Sequence, residues 1–338
     1  MRAVEIAEDR SLRAVERTDP QPATGEVVVD VARCGICGSD LHLRPSPAVP
    51  VGAVMGHEFS GRIAALGDGV ADRWSVGDRV AVYPFVPCGE CLMCRAGHPH
   101  VCMQAAVTGI GLGARQGAYA ERIAVDASTL FALPAAVGDD AGALVEPFAV
   151  ALHGLAIAAT DPGEPALVIG AGPIGVMTAL ALRARGVERV LVVERNEHRA
   201  ERIAALGFEA FGLENVHMAV LETLDGAPPP AVFECAGNPA ALGLALELVR
   251  PKGRVVALGV LEEPVEVSQL VLLIKEAEIR GSFCYTRDDF AAAIELIGAG
   301  ALPVDRLVTA TVDLERAEEM FAALLAPDSD ELKVLLAP

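Results

Sequence analysis

The chain has 338 residues, 52% of them hydrophobic and only 4% aromatic, with 33 glycines and a mean hydropathy of +0.41. That is longer than one domain usually is, so two domains with separate cores are expected and a disordered chain is excluded. The formal net charge of −19 is spread along the sequence and repels polyanions at long range, so neither nucleic acid nor an anionic membrane is an expected partner. Lysine occurs only at Lys252, Lys275 and Lys333, a bias that carries no functional reading.

The opening stretch MRAVEIAEDRSLRAVERTDP has charges every few residues and no apolar run of signal-peptide length. Longer apolar stretches such as PALVIGAGPIGVMTALALRARG are broken by glycine and proline well short of the roughly 20 residues that span a bilayer. A cytoplasmic protein is expected, and its eight cysteines are then free thiols or metal ligands rather than disulfides. Short β-type runs follow: AVEIAE, EVVVDVARC, EFSGRIAAL, DRVAVYPF and AYAERIAV, separated by glycine and proline. From about residue 139, DDAGALVEPFAVALHGLAIAA puts apolar residues at helical spacing. After DPGEP the apolar strands ALVIG, RVLVVE, AVFECAG and RVVALGV alternate with the helical segments PIGVMTALALRARG, EHRAERIAALG and PAALGLALELVRPKG. Such alternation predicts an α/β fold with a doubly wound parallel sheet. A sixth strand ends near EIRGSF, a helix follows in DDFAAAIELIGAGAL, and the chain closes on the short apolar segment ELKVLLAP.

VIGAGPIG places Gly170, Gly172 and Gly175 in a G-x-G-x-x-G pattern between a strand and a helix that opens with Pro173 and Ile174. The first glycine allows a tight turn, the second lets the backbone approach a pyrophosphate, and the third permits close helix-on-strand packing. The free N–H groups of the helix start favour the phosphates. Glu194 ends the second strand about 20 residues on, where a carboxylate accepts hydrogen bonds from the adenosine ribose and repels a 2′-phosphate. NAD is therefore expected over NADP, although Arg195 beside it is suited to a 2′-phosphate.

CGECLMCRAGHPHVC packs Cys88, Cys91, Cys94 and Cys102 into a C-x2-C-x2-C-x7-C spacing. Four thiolates fill a tetrahedral zinc sphere and leave no position for substrate, so a structural zinc is expected; an iron–sulfur cluster or a redox C-x-x-C pair uses the same residue types. His98 and His100 are spare. A catalytic zinc needs about three protein ligands and an open position. CGICGSDLH offers Cys37, Ser39, Asp40 and His42, GHEF offers His57 and Glu58, and VEPFAVALH offers Glu146.

These segments, with VGDRVAV, FECAGNP and PKGRVVALG, stand in the order seen in the zinc-dependent medium-chain dehydrogenases, and over essentially its whole length the chain resembles their polyol and secondary-alcohol branch, which includes sorbitol and threonine dehydrogenases. The resemblance implies a β-rich GroES-like catalytic domain with a structural zinc lobe, formed by residues 1–146 and 283–338, and a Rossmann cofactor domain at 147–282. It implies two zinc ions per chain, one held by Cys37, His57 and Glu146 with Glu58 as an exchangeable fourth ligand, the other by Cys88, Cys91, Cys94 and Cys102. It also implies that Ser39 takes the alcohol proton and passes it toward His42 by way of the nicotinamide ribose, that Asp40 orients His57, and that Arg199 lies near the adenosine. Cys34 matches no ligand.

The implied reaction is hydride transfer between an alcohol and NAD(P), giving a ketone or aldehyde, in a homodimer or homotetramer joined through the cofactor domains. The segment GSDLHLRPSPAVPVGAVMG is mostly apolar where polyol enzymes tend to be polar or aromatic. Leu43, Val49, Val51 and Met55 there suit a less polar alcohol, and Arg44 suits an anionic group. The competing readings are a dehydrogenase of a larger apolar or specialised-metabolite alcohol, a zinc-independent enone reductase on the same scaffold, and a non-enzymatic zinc module, which the net charge opposes.

Overall fold

The computed structural model describes residues 1–260, 263–326 and 329–338. They divide into two compact units, Met1–Glu146 with Thr286–Pro338, and Pro147–Tyr285. The sequence expectation puts the return to the first unit at residue 283, three residues early. Thr286 caps the helix Arg287–Gly298 with a capping box closed by Asp289, and Phe290 of that helix packs 4.9 Å from Phe131 and 5.6 Å from Tyr83 (ring centroids) in the first unit.

In the first unit the described residues form a seven-stranded sheet. Its path runs Val308–Val312, Lys333–Leu336, Glu26–Gly35, Glu58–Leu66, Arg79–Val82 and Leu130–Ala132, with Arg122–Asp126 also paired on Glu26–Gly35. The valine-rich strand Glu26–Gly35 is the hub because its β-branched side chains are covered on both faces. The C-terminal segment ELKVLLAP supplies the strand Lys333–Leu336, whose side chains are all buried. A separate hairpin pairs Arg2–Ile6 with Leu12–Glu16. Leu12–Glu16 and Leu130–Ala132 are not anticipated from sequence, since both are short and only partly buried and so lack a clear alternation.

The second unit is a six-stranded, wholly parallel sheet in the order Glu209–Phe211, Val190–Val193, Ala166–Ile169, Ala231–Glu234, Arg254–Ala257, Glu278–Gly281. Numbered along the chain this is the 3-2-1-4-5-6 arrangement of dinucleotide-binding sheets. Three of its inner strands, Ala166–Ile169, Val190–Val193 and Ala231–Glu234, are fully buried, as parallel strands covered by helices on both faces must be. Glu209–Phe211, a three-residue edge, escapes prediction for lack of length. No helix among the described residues is long and apolar enough to cross a membrane.

Candidate functional site

Antiparallel register assembles the site. Glu26–Gly35 pairs with Glu58–Leu66 so that Gly35 lies opposite Glu58. Cys37, two residues past the end of one strand, and His57, one residue before the start of the other, therefore meet at the same end of the pair. The ligand atoms of Cys37, His57 and Glu58 lie within 4.8 Å of one another. Gly35 has to be glycine, because a Cβ there would collide with the Glu58 carboxylate.

The short helix Gly38–Leu43 begins on Cys37, whose backbone N–H donates to Asp40 Oδ2 at 3.0 Å. Asp40 is fully buried, and its other oxygen, Oδ1, lies 3.4 Å from His57 Nδ1. That leaves His57 Nε2 facing Ser39, whose Oγ lies 3.5 Å away. Burial opposes protonation of His57, but Asp40 and Cys37 outweigh it and raise its pKa well above the ordinary value. The Cys37 thiol is pushed up by burial and by the Glu58 charge. A soft sulfur, an imidazole nitrogen and a hard carboxylate brought this close make a donor set that suits zinc, and three protein ligands leave a position open.

Two residues that sequence reasoning passes over complete the surroundings. Lys333, 2% exposed, makes a buried ion pair with Glu58, itself 1% exposed, and donates to the Ile36 carbonyl at 2.9 Å. Burial alone would lower its pKa, yet the charges of Glu58, Cys37 and Glu146 raise it. Tyr119 is also buried, and its hydroxyl donates to Asp40 Oδ2 at 2.6 Å. A lone lysine inside the apolar run ELKVLLAP is a usable signal for the first; nothing in the sequence marks the second.

Other residues named from sequence fall elsewhere. Glu146 is buried and close enough to act on Lys333, but it is outside the close group of Cys37, His57 and Glu58. Cys34, fully buried, is outside it too. His42 is exposed on the helix that carries Ser39. Arg44 is not free to meet an anion, because its Nη1 lies 3.0 Å from both carboxylate oxygens of Glu318 and its guanidinium stands over Phe321. Val49 and Met55 belong to the hydrophobic core and Leu43 packs against it, which leaves Val51 alone of the four exposed.

The cysteine lobe forms a second group, with Cys88, Cys91, Cys94 and Cys102 sulfurs within 4.8 Å of one another. Backbone N–H groups of Cys94 and Met103 bring the Cys91 thiol down to about 6, while burial and Cys91 itself push Cys94 up to about 12. Four sulfurs facing one point suit a closed tetrahedral cation site, whose filling releases the remaining thiol protons. His98 and His100 stack edge to face, ring centroids 6.1 Å apart, outside the sulfur group.

In the second unit each glycine of the fingerprint has its own reason. Gly170 adopts φ +98°, a conformation that L side chains rarely tolerate. A Cβ on Gly172 would meet nothing within 4 Å, so the backbone there stays open to a ligand, and one on Gly175 would strike the Gly170 carbonyl. Pro173 and Ile174 begin the helix Pro173–Ala184. Glu194 is buried at the end of its strand, accepting from Ala171 N at 2.6 Å and Asn196 N at 2.8 Å. Arg195 is exposed, and Arg199 is half-buried in the first turn of the helix Glu197–Ala205, its N–H bonded to the capping Asn196.

Residues 23–135 match the alcohol dehydrogenase GroES-like domain, and residues 173–299 the zinc-binding dehydrogenase domain. The chain is 33% identical to the starvation-sensing protein RspB of Escherichia coli over 99% of each chain, and 32% identical to (R,R)-butanediol dehydrogenase of Bacillus subtilis over the full length of both. A crystal structure of the RspB alcohol dehydrogenase from E. coli CFT073, complexed with NADH, superposes with a TM-score of 0.91 at 32% identity, covering 100% of this chain and 99% of that one. The chain therefore belongs to the zinc-type medium-chain dehydrogenases, NAD(P)-dependent oxidoreductases acting on CH–OH donors, with a GroES-like and a Rossmann domain.

Proposed function

We propose that the protein oxidises a small secondary alcohol or polyol with NAD in preference to NADP, using one catalytic and one structural zinc per chain. The observation that carries this reading is the convergence of Cys37, His57 and Glu58 beside the Ser39 hydroxyl. When bound, a zinc ion would supply Lewis acidity for an alcohol oxygen, and NAD would supply a hydride acceptor. The chain's own residues do the rest. Cys37 and His57 would hold the metal, Glu58 would share its charge between that site and Lys333, and Glu146 would act from further off through Lys333. Ser39 takes the alcohol proton. His42, three residues along the same helix and exposed, leads it to solvent.

The buried Glu194 carboxylate supports NAD, since a 2′-phosphate would face its charge, and Arg199 stands one turn further along. None of the eight cysteines is in a disulfide, which suits the cytoplasmic setting proposed here. An alcohol panel assayed with each cofactor tests the reading: secondary alcohols and polyols are expected to turn over with NAD, more slowly with NADP, and not after chelation. Unchanged activity after zinc removal would sink it.

The protein is proposed to be a homo-oligomer joined through the second unit. There the edge strand Glu278–Gly281 is mostly exposed, and the helix Gln269–Lys275 presents Leu270, Leu273 and Ile274 to solvent, each at least 65% exposed. A single-chain mass in solution would contradict it.

A further inference from the structure

Tyr119 lies outside every motif that identifies the family site, yet it touches that site's most buried charge. Its ring is fully buried and held on three sides. The backbone is pinned by Tyr119 N to the Met55 carbonyl at 2.9 Å and by Val4 N to the Tyr119 carbonyl at 2.7 Å. Phe321 packs edge to face with centroids 6.2 Å apart. Gly56, immediately before His57, has φ +98°, and a Cβ there would lie 2.5 Å from the Tyr119 ring. The ring therefore lies against the backbone of Gly56, next in sequence to His57, with its hydroxyl held at one point on Asp40.

That point is Asp40 Oδ2. It receives two donors, Tyr119 Oη at 2.6 Å and Cys37 N at 3.0 Å. A short O–H···O⁻ bond to a fully buried carboxylate is of the stronger, charge-assisted kind. With Oδ2 tied from two directions the carboxylate plane has no freedom, and Oδ1 is aimed at His57 Nδ1, 3.4 Å away. Neither Oδ1 nor Nδ1 has a hydrogen-bond partner elsewhere among the described residues. Each atom thus has only the other to answer.

We propose that Tyr119 is a positioning residue for the metal centre: its hydroxyl sets the rotation of Asp40, which sets the tautomer and ring plane of His57, so that Nε2 is presented to the cation. The inference rests on the catalytic-zinc reading above. Burial and the Asp40 charge raise the Tyr119 pKa well above its ordinary value, so the hydroxyl remains a donor throughout the working range. Outer partners of a ligating histidine commonly change metal affinity by about 10- to 100-fold.

The test is Tyr119→Phe in the full-length, metal-loaded protein, a change that keeps the ring packing and removes one oxygen. Zinc is withdrawn by titration with a chromophoric chelator, and the Cys37 site is identified as the release step absent from Cys37→Ser. Tyr119→Phe is expected to loosen that step about 10- to 100-fold, leave the cysteine-lobe step in place, and shift the visible absorption of the cobalt-substituted protein. Asp40→Asn should produce the same loosening, and adding Tyr119→Phe to it should cost nothing more, because the two act through one contact. Equal affinity in Tyr119→Phe and wild type overturns the inference, as do additive losses. If Tyr119→Phe does not fold, an unchanged release step in Asp40→Asn overturns it equally. A wild-type protein with no release step that Cys37→Ser abolishes overturns the zinc reading itself.

Discussion

Cys37→Ser is expected to leave one zinc per chain in place of two and to lower turnover about a thousandfold, equivalent to roughly 4 kcal/mol of transition-state stabilisation. Serine replaces a soft thiolate by a hydroxyl that stays protonated near neutral pH and binds zinc poorly. The remaining donors do not make up the difference, since Glu58 is already engaged by Lys333. Metal analysis and steady-state kinetics on the purified variant check this. Cys91→Ser is the matching control: it should also lose one zinc, but from the cysteine lobe, with a lower melting temperature as the main effect. Full turnover in Cys37→Ser would favour the zinc-independent enone reductase instead.

Lys333→Met is expected to destabilise the protein by about 3–5 kcal/mol, the usual cost of leaving a buried charge without its partner. Both members of the pair are almost fully enclosed, at 2% and 1% exposure, so water does not screen the loss. Glu58→Gln added to Lys333→Met should recover part of it, because a neutral amide removes the stranded charge. Denaturant titration of the two variants beside wild type measures both effects. The pH dependence has a definite sign. The folded pKa of Lys333 lies above the ordinary lysine value of 10.5, so the pair's contribution is complete below that value and is lost as the pH rises through the folded one. The difference between wild type and Lys333→Met should therefore be flat through the neutral range and shrink only in strong alkali. A difference that faded toward pH 7 would contradict this account.

Cys37, His57 and Glu58 come together as candidate ligands, whereas Glu146, expected from sequence beside Cys37 and His57, lies outside their group; the four cysteines of the lobe need no tertiary information to be grouped, since all fall within 15 consecutive residues. The dinucleotide turn was legible for the same reason: Gly170 and Gly175 answer to local backbone demands, and Gly172 leaves the turn open. Pocket-lining assignments fared worse. The apolarity that makes Val49 and Met55 suit a less polar alcohol equally describes core residues, and burial places both in the core. The charge of Arg44 suits an anionic group, but its partners are Glu318 and Phe321, more than 270 residues away.

By itself the sequence determined what could be encoded within a few turns of chain: alternating strands and helices, the phosphate-binding turn, the cysteine lobe, and which residues carry metal-binding chemistry. Only the tertiary structure decided which of those residues share a site. Gly35 opposite Glu58 is a matter of strand register, Lys333 reaches Glu58 across 275 residues, and Tyr119 reaches Asp40 across 79. Such pairings leave no periodic trace, because they are set by how two distant strands are brought edge to edge and by which buried charge then lacks a partner.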